Sequence, residues 1–88
     1  MNIITINCAG MDSREKLHSA FSDALCFPTW YGRNLDALHD CLTGIREDTI
    51  LQLQDWNAAS VLGGYHHGAT KVLEHAASEN PNLTVEFL

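Results

Sequence analysis

The chain has 88 residues, 45% of them apolar, a length and composition that suit one soluble domain with a modest hydrophobic core. Five basic residues against eleven acidic ones give a formal net charge of −6, which argues against a nucleic-acid-binding protein and favours a basic partner. Nothing approaches the roughly 18 apolar residues of a membrane span, and the first residues lack a signal-peptide pattern, so we expect a cytoplasmic protein without a membrane partner.

The first half of the chain predicts a strand followed by a helix. Ile3 to Ile6 form a β-branched, nearly continuous apolar run, which is typical of a central strand covered on both faces. Ser13 to Ala24 places apolar residues at helical spacing, and Asp12 or Ser13 can cap that helix.

The second half predicts a strand, two helices and a final strand. Thr49 to Leu53 is the strand, Asp55 can cap a short helix through Leu62, and a longer helix runs from about His66 to about Asn80. Leu83 to Leu88 alternates as a final strand. Because long helical connections imply parallel pairing, we expect an α/β fold with a small three-stranded parallel sheet and about four helices, forming a single domain over residues 1–88.

Between these halves lies the most informative stretch, about residues 30–44. Asn34 is an N-cap residue, so a helix should begin at Leu35, and Gly44 suits a left-handed helix end. One side of this helix is apolar, and the opposite side carries Asp36 and Asp40 at a spacing of four residues. That like-charge pair costs an isolated helix roughly 0.2–0.5 kcal/mol. Trp30 and Tyr31, two large aromatics in the preceding loop, are typical of interface anchors.

This stretch, Tyr31-Gly32-x-Asn34-Leu35-Asp36-Ala37-Leu38-x-Asp40-Cys41-Leu42-Thr43-Gly44, resembles the signature of the barstar family, whose members are intracellular inhibitors of the ribonuclease barnase. The resemblance implies a non-enzymatic inhibitor that occludes the active site of a barnase-like ribonuclease with its acidic helix and loop, one molecule to one. Asp40 would take the place of the scissile phosphate, and Trp30 would cover the catalytic cleft. The implied partner-binding residues are Trp30, Tyr31, Gly32, Asn34, Leu35, Asp36, His39, Asp40, Thr43 and Gly44.

The resemblance also brings the last helix into the partner-binding surface, through Glu79 and either Glu74 or His75. Four positions depart from the family pattern. Trp30 stands where the family has a tyrosine, His39 and Ile45 stand where it has tryptophans, and His75 aligns with a glutamate. The resemblance therefore leaves open whether Glu74 or His75 faces the partner.

Other chemistries find little support in the sequence. Asp36 and Asp40 lie one turn apart on a helix face with no apolar pocket to separate their pKa values, so we expect no catalytic pair. The histidines lack metal-ligand spacing and read as surface or capping residues, and the three cysteines read as reduced thiols. We therefore expect no enzyme, metal or cofactor. The alternatives that stay open are an immunity protein against a different nuclease or toxin class, as in toxin–antitoxin pairs, and a non-toxin regulatory binding module.

Overall fold

Three parallel strands form the sheet in the computed structural model, which describes residues 1–88; in spatial order they are Asn2–Asn7 (β1), Thr49–Gln54 (β2) and Leu83–Phe87 (β3). Four helices connect these strands, which confirms the predicted α/β class, the parallel sheet and the number of helices. In chain order the elements are β1 (Asn2–Asn7), α1 (Arg14–Leu25), α2 (Leu35–Thr43), β2 (Thr49–Gln54), a 3₁₀ helix (Trp56–Leu62), α3 (Gly64–Glu79) and β3 (Leu83–Phe87).

The central strand is β2, so the prediction that β1 is central and covered on both faces is wrong. Right-handed crossovers between strands that are neighbours both in sequence and in space place every connecting helix on the same face of the sheet. The other face stays open, and the side chain of Ile3 there is 62% exposed. Polar side chains cross this open face, since the Thr5 hydroxyl donates to Gln52 and the Gln52 amide donates to Glu86.

The core lies between the covered face of the sheet and the helices. Each α-helix contributes fully buried apolar side chains to it, which are Leu17 and Phe21 from α1, Leu38 and Leu42 from α2, and Ala69, Leu73 and Ala76 from α3. Helices α2 and α3 approach closely because Gly68 lacks a side chain. A Cβ atom at Gly68 would lie 3.0 Å from Cδ1 of Leu35. Because Leu38 and Leu42 are fully buried, the predicted apolar stripe of α2 is confirmed as its buried face.

The ends of the helices follow the prediction at two places and depart from it at two. Ser13 caps α1 by accepting the Lys16 amide, and Asn34 caps α2. Gly44, however, has right-handed geometry with φ −84°, so the left-handed stop predicted there is wrong. Asp55 makes no capping hydrogen bond, because it takes a left-handed φ of 57°, and the helix after it is 3₁₀ rather than α.

The buried side chain of Asn80 fastens the carboxyl end of α2 to the end of α3. Its amide donates to the carbonyl oxygens of Leu42 at 3.0 Å and Ile45 at 2.9 Å. Carbonyl groups at a helix end lack partners within the helix, so this amide satisfies groups that would otherwise need water. Asn80 thus holds the carboxyl end of α2 to α3, and the close approach of Leu35 to Gly68 lies near its amino end.

None of the helices combines the length and the apolar character that a bilayer crossing requires.

The open sheet face predicts that two isoleucines of the same strand contribute unequally to stability. Ile6→Ala should lower the free energy of unfolding by about 2–4 kcal/mol, because Ile6 is buried in the core. Ile3→Ala should cost less than about 1 kcal/mol, because its side chain already faces solvent. Urea denaturation of both variants measures the difference. Equal losses at the two positions would show that the second face of the sheet is covered in solution.

Candidate functional site

Helix α2 presents two carboxylates to solvent on the side opposite its core contacts. Asp36 and Asp40 are both exposed, the Asp40 side chain to 86%, whereas Leu38 and Leu42 on the other side are fully buried. Asp36 lies in the first turn, where the helix dipole favours a negative charge. The predicted division of this helix into an apolar and an acidic side is confirmed.

A third carboxylate reaches the same region from α3. His39 Nε2 lies 3.0 Å from Oε1 of Glu79, and His39 Nδ1 lies 3.8 Å from Oδ1 of Asp40. The hydrogen bond to Glu79, followed by the charges of Glu79 and Asp40, raises the pKa of His39 above its usual value. We refer to Asp36, Asp40 and Glu79, together with His39, as the acidic surface.

The geometry of α3 decides between Glu74 and His75 as the residue on the α2 side. Gly68 and Glu79 both contact α2, and His75 lies on the same helical stripe, four residues before Glu79. Glu74 is rotated away from this stripe, and its carboxylate lies 4.0 Å from the Lys71 ammonium. Helical spacing therefore puts His75 on the side of α3 that faces α2 and Glu74 on another side.

An open cavity of about 370 Å³ adjoins the acidic surface. It lies between the loop before α2 and the second half of α2, and its lining residues are Cys26, Phe27, Pro28, Trp30, Asp40, Cys41 and Gly44. Trp30 stands at this cavity with 82% of its surface exposed. Three of the predicted partner-binding residues, Trp30, Asp40 and Gly44, are thus brought together around one depression.

Tyr31 does not belong to this exposed set, although the sequence predicted it as a surface aromatic. Its side chain is buried, its ring packs on Phe27 with centroids 4.8 Å apart, and its hydroxyl lies 2.6 Å from His18 Nδ1. Burial raises the pKa of Tyr31, so the hydroxyl stays protonated and available for hydrogen bonding. Tyr31 therefore anchors the loop to the core, and its ring is not exposed to a partner.

The remaining predicted residues shape the backbone around the acidic surface. The side-chain oxygen of Asn34 accepts the Ala37 amide at 2.8 Å, and its amide nitrogen donates to the Gly32 carbonyl at 3.2 Å. Leu35 is half-buried against Gly68, and the Thr43 hydroxyl donates to the His39 carbonyl at 2.9 Å. These contacts fix the loop and the helix in one conformation.

His18 is the supporting residue that the sequence reasoning missed, because it was predicted as a surface or capping histidine. It is 1% exposed, and its two ring nitrogens contact the hydroxyls of Tyr31 and Tyr65, at 2.6 and 2.5 Å. Burial, with a smaller contribution from the Arg33 charge, lowers the pKa of His18 and keeps the ring neutral. Its position three residues before Phe21, on the buried side of α1, was the available signal.

Arg33 is held away from the acidic surface by α1. Its guanidinium donates to the Glu15 carbonyl at 3.0 Å and to the Ser19 hydroxyl at 2.6 Å. The backbone of Arg33 has a left-handed φ of 52°, which turns the chain between the buried Tyr31 and the cap at Asn34. The positive charge nearest to the loop therefore points toward the first helix.

Cys8, Cys26 and Cys41 are free thiols in the structure, which brings together no group of three potential metal-ligating side chains. The arrangement offers exposed carboxylates on a rigid helix beside an exposed aromatic ring. Such a surface can accept charge-assisted hydrogen bonds from cationic side chains.

Comparison with known proteins identifies the family. The family model described as "Barstar (barnase inhibitor)" matches residues 1–88. The chain belongs to the barstar family. A Bacillus subtilis (strain 168) protein named "Putative ribonuclease inhibitor YrdF" is 38% identical to it over 81 residues, which cover 90% of this chain and 89% of that protein. The predicted membership of the barstar family is confirmed.

The buried His18 gives this barstar-family protein a predictable acid sensitivity. Because its pKa is lowered in the folded state, the unfolded chain binds the proton more readily, and stability falls as pH decreases below about 6.5. In His18→Gln this contribution is lost, so the difference in free energy of unfolding between wild type and variant should narrow on acidification. Urea denaturation at a series of pH values measures this difference. A difference that stayed constant with pH would show that His18 binds its proton equally well in the folded and unfolded states, which would contradict the lowered pKa.

Proposed function

We propose that this protein is a non-enzymatic inhibitor that occludes the active site of a basic, barnase-like ribonuclease with its acidic surface and Trp30. The observation that carries the proposal is the position of Asp40. Its side chain is 86% exposed, beside the cavity, on a helix whose opposite side is locked in the core. Membership of the barstar family supports the same assignment.

Asp40 suits the role of a phosphate mimic because the fold does not use its carboxylate. The nearest cationic group is His39, at 3.8 Å, and the like charge of Asp36 lies one turn away. A ribonuclease active site holds cationic groups that normally bind the scissile phosphate. The exposed carboxylate can accept charge-assisted hydrogen bonds from those groups and so exclude the substrate.

Rigidity is the second element of the proposed mechanism. Asn34 caps the start of α2, Asn80 binds the carbonyls at its end, and His18 holds the loop through Tyr31. A surface that is already in its binding conformation loses little conformational entropy on association. We propose that these contacts allow a small set of charged and aromatic residues to bind tightly.

Trp30 is the proposed aromatic anchor. Its ring is largely exposed at the edge of the cavity, so the fold gains little hydrophobic stabilisation from this large apolar side chain. Interfaces enrich exposed aromatics of this kind, and they dominate binding energies when a partner covers them. Trp30 would lie over the catalytic cleft while Asp40 occupies its phosphate site, and Gly44 would border the contact.

A second candidate function is immunity against a nuclease or toxin of another class. It is favoured by His39, which stands where the resemblance implies a tryptophan and places an imidazole hydrogen-bonded to Glu79 within the acidic surface. In either case the complex is expected to contain one molecule of each protein and to protect the cell that makes the inhibitor. Capture of secreted proteins from the source cell, followed by a ribonuclease assay, distinguishes the two candidates.

The proposal predicts that binding and folding separate at Asp40. Asp40→Ala should weaken inhibition of the cognate ribonuclease by about 2–5 kcal/mol or more, a range known from charged interfaces that include barnase with its barstar. The enzyme's cationic groups would be left buried without a partner. The free energy of unfolding should change by less than about 0.5 kcal/mol, because a helical like-charge pair is relieved. Inhibition titrations and urea denaturation measure the two effects.

Leu38→Ala is the matched control on the other side of the same helix. It should lower the free energy of unfolding by about 2–5 kcal/mol, because Leu38 is fully buried. Inhibition by the fraction that remains folded should stay close to wild type. Wild-type affinity in Asp40→Ala would reject the proposed role of this helix.

A further prediction concerns salt. If association is guided by charge, the on-rate should fall by about tenfold or more as ionic strength rises from about 0.01 to 0.5 M. The Debye length shrinks over this range from about 30 Å to a few Å, so charges on the two proteins no longer attract each other before contact. Stopped-flow measurement of association gives the rate. An on-rate independent of salt would contradict the electrostatic part of the mechanism.

A further inference from the structure

The hydrogen bond between His39 and Glu79 lies inside the proposed binding surface and joins its two helices. Nε2 of His39 and Oε1 of Glu79 are 3.0 Å apart, and the His39 side chain is 32% exposed, so a partner seated on α2 would touch this pair. Glu79 is half exposed and belongs to α3. The charge state of His39 therefore sets how much net negative charge Glu79 contributes to the acidic surface.

We propose that His39 sets how strongly this surface binds a basic partner, because a protonated His39 neutralises Glu79, whereas a neutral His39 leaves the negative charge of that carboxylate uncompensated. The inference rests on the proposed function and concerns its dependence on pH. Asp36, Asp40 and Glu79 carry three negative charges, of which a protonated His39 cancels one. A cationic partner should accordingly bind more weakly under acidic conditions than under alkaline ones.

The groups around His39 are mainly acidic and favour its protonated form. Glu79 faces it from α3, Asp40 and Asp36 lie on its own helix, and His75 stands one turn before Glu79 on the α2 side of α3. Glu79 and Asp40 raise the pKa of His39, and an ordinary histidine titrates near 6.5. The imidazole of His39 therefore keeps its proton to a higher pH than an ordinary histidine does.

The experiment compares affinities for barnase, used as the basic probe, at about pH 5.5 and about pH 8. The ratio of the wild-type affinity to that of His39→Gln is the quantity measured. Titrations within barnase are common to both inhibitors and cancel in this ratio. We expect this ratio to rise about three- to tenfold from the lower to the higher pH, because His39 of the wild-type protein loses its positive charge. His67→Gln, on a side of α3 away from α2, is the control. The ratio of the wild-type affinity to that of His67→Gln should not change with pH.

Glu79→Gln tests the same pair from the other helix. Removing this carboxylate removes one negative charge from the acidic surface, so the variant should bind barnase several-fold more weakly than wild type at either pH. An NMR titration of the free proteins should also show the His39 pKa lowered in Glu79→Gln.

The outcomes separate this inference from the proposed function. Failure of wild type to bind barnase at any pH would reject barnase-like ribonuclease inhibition, and the inference would fall with it. Tight binding of wild type with a pH-independent ratio to His39→Gln would reject the role of His39 alone. An unchanged His39 titration in Glu79→Gln would likewise reject the pairing in solution.

Discussion

The buried imidazole of His18 is the contact on which the presentation of the acidic surface depends. It comes from α1 and reaches Tyr31 in the loop before α2 and Tyr65 at the start of α3, so one side chain joins three separate parts of the chain. A neutral imidazole has one donor and one acceptor nitrogen. One tyrosine hydroxyl must therefore donate to His18 while the other accepts from it, and both polar groups are satisfied in the core.

This arrangement explains why two adjacent aromatic residues have different roles. The hydroxyl of Tyr31 is drawn inward to His18, whereas Trp30, one residue earlier, is left on the surface. Arg14 lies over the ring of Tyr65, 4.3 Å from its centroid, and adds a second contact between α1 and α3. The loop can expose a large apolar ring because its neighbour is anchored, and the exposed ring is then available to a partner.

In the proposed mechanism, helix α2 divides folding and binding between its two sides. Leu38 and Leu42 fix the helix in the core, and the acids on the other side contribute little to stability because solvent screens them. The pair of His39 and Glu79 lies at the border between these two sides. It ties α2 to α3 and also sets part of the charge of the acidic surface, so stability and the proposed recognition are coupled at that position.

Local sequence patterns determined the parts of this protein that depend on neighbouring residues. The cap at Asn34, the two sides of α2 and the existence of every strand and helix follow from spacing along the chain. The long motif around Asp40 was enough to identify the family, and the acids on α2 needed no structure to be placed on one face. These features arise within one or two turns, where helical geometry alone fixes which residues are neighbours.

Only the tertiary structure decided the contacts between residues far apart in sequence. His18 and Tyr65 are 47 positions apart, and His39 and Glu79 are 40 apart, so no local pattern predicts either pair. The spatial order of the strands likewise made β1 an edge strand and left Ile3 exposed, although its β-branched run resembles a central strand. The physical reason is that burial depends on which elements pack together, and hydrophobic periodicity specifies a face without specifying what covers it.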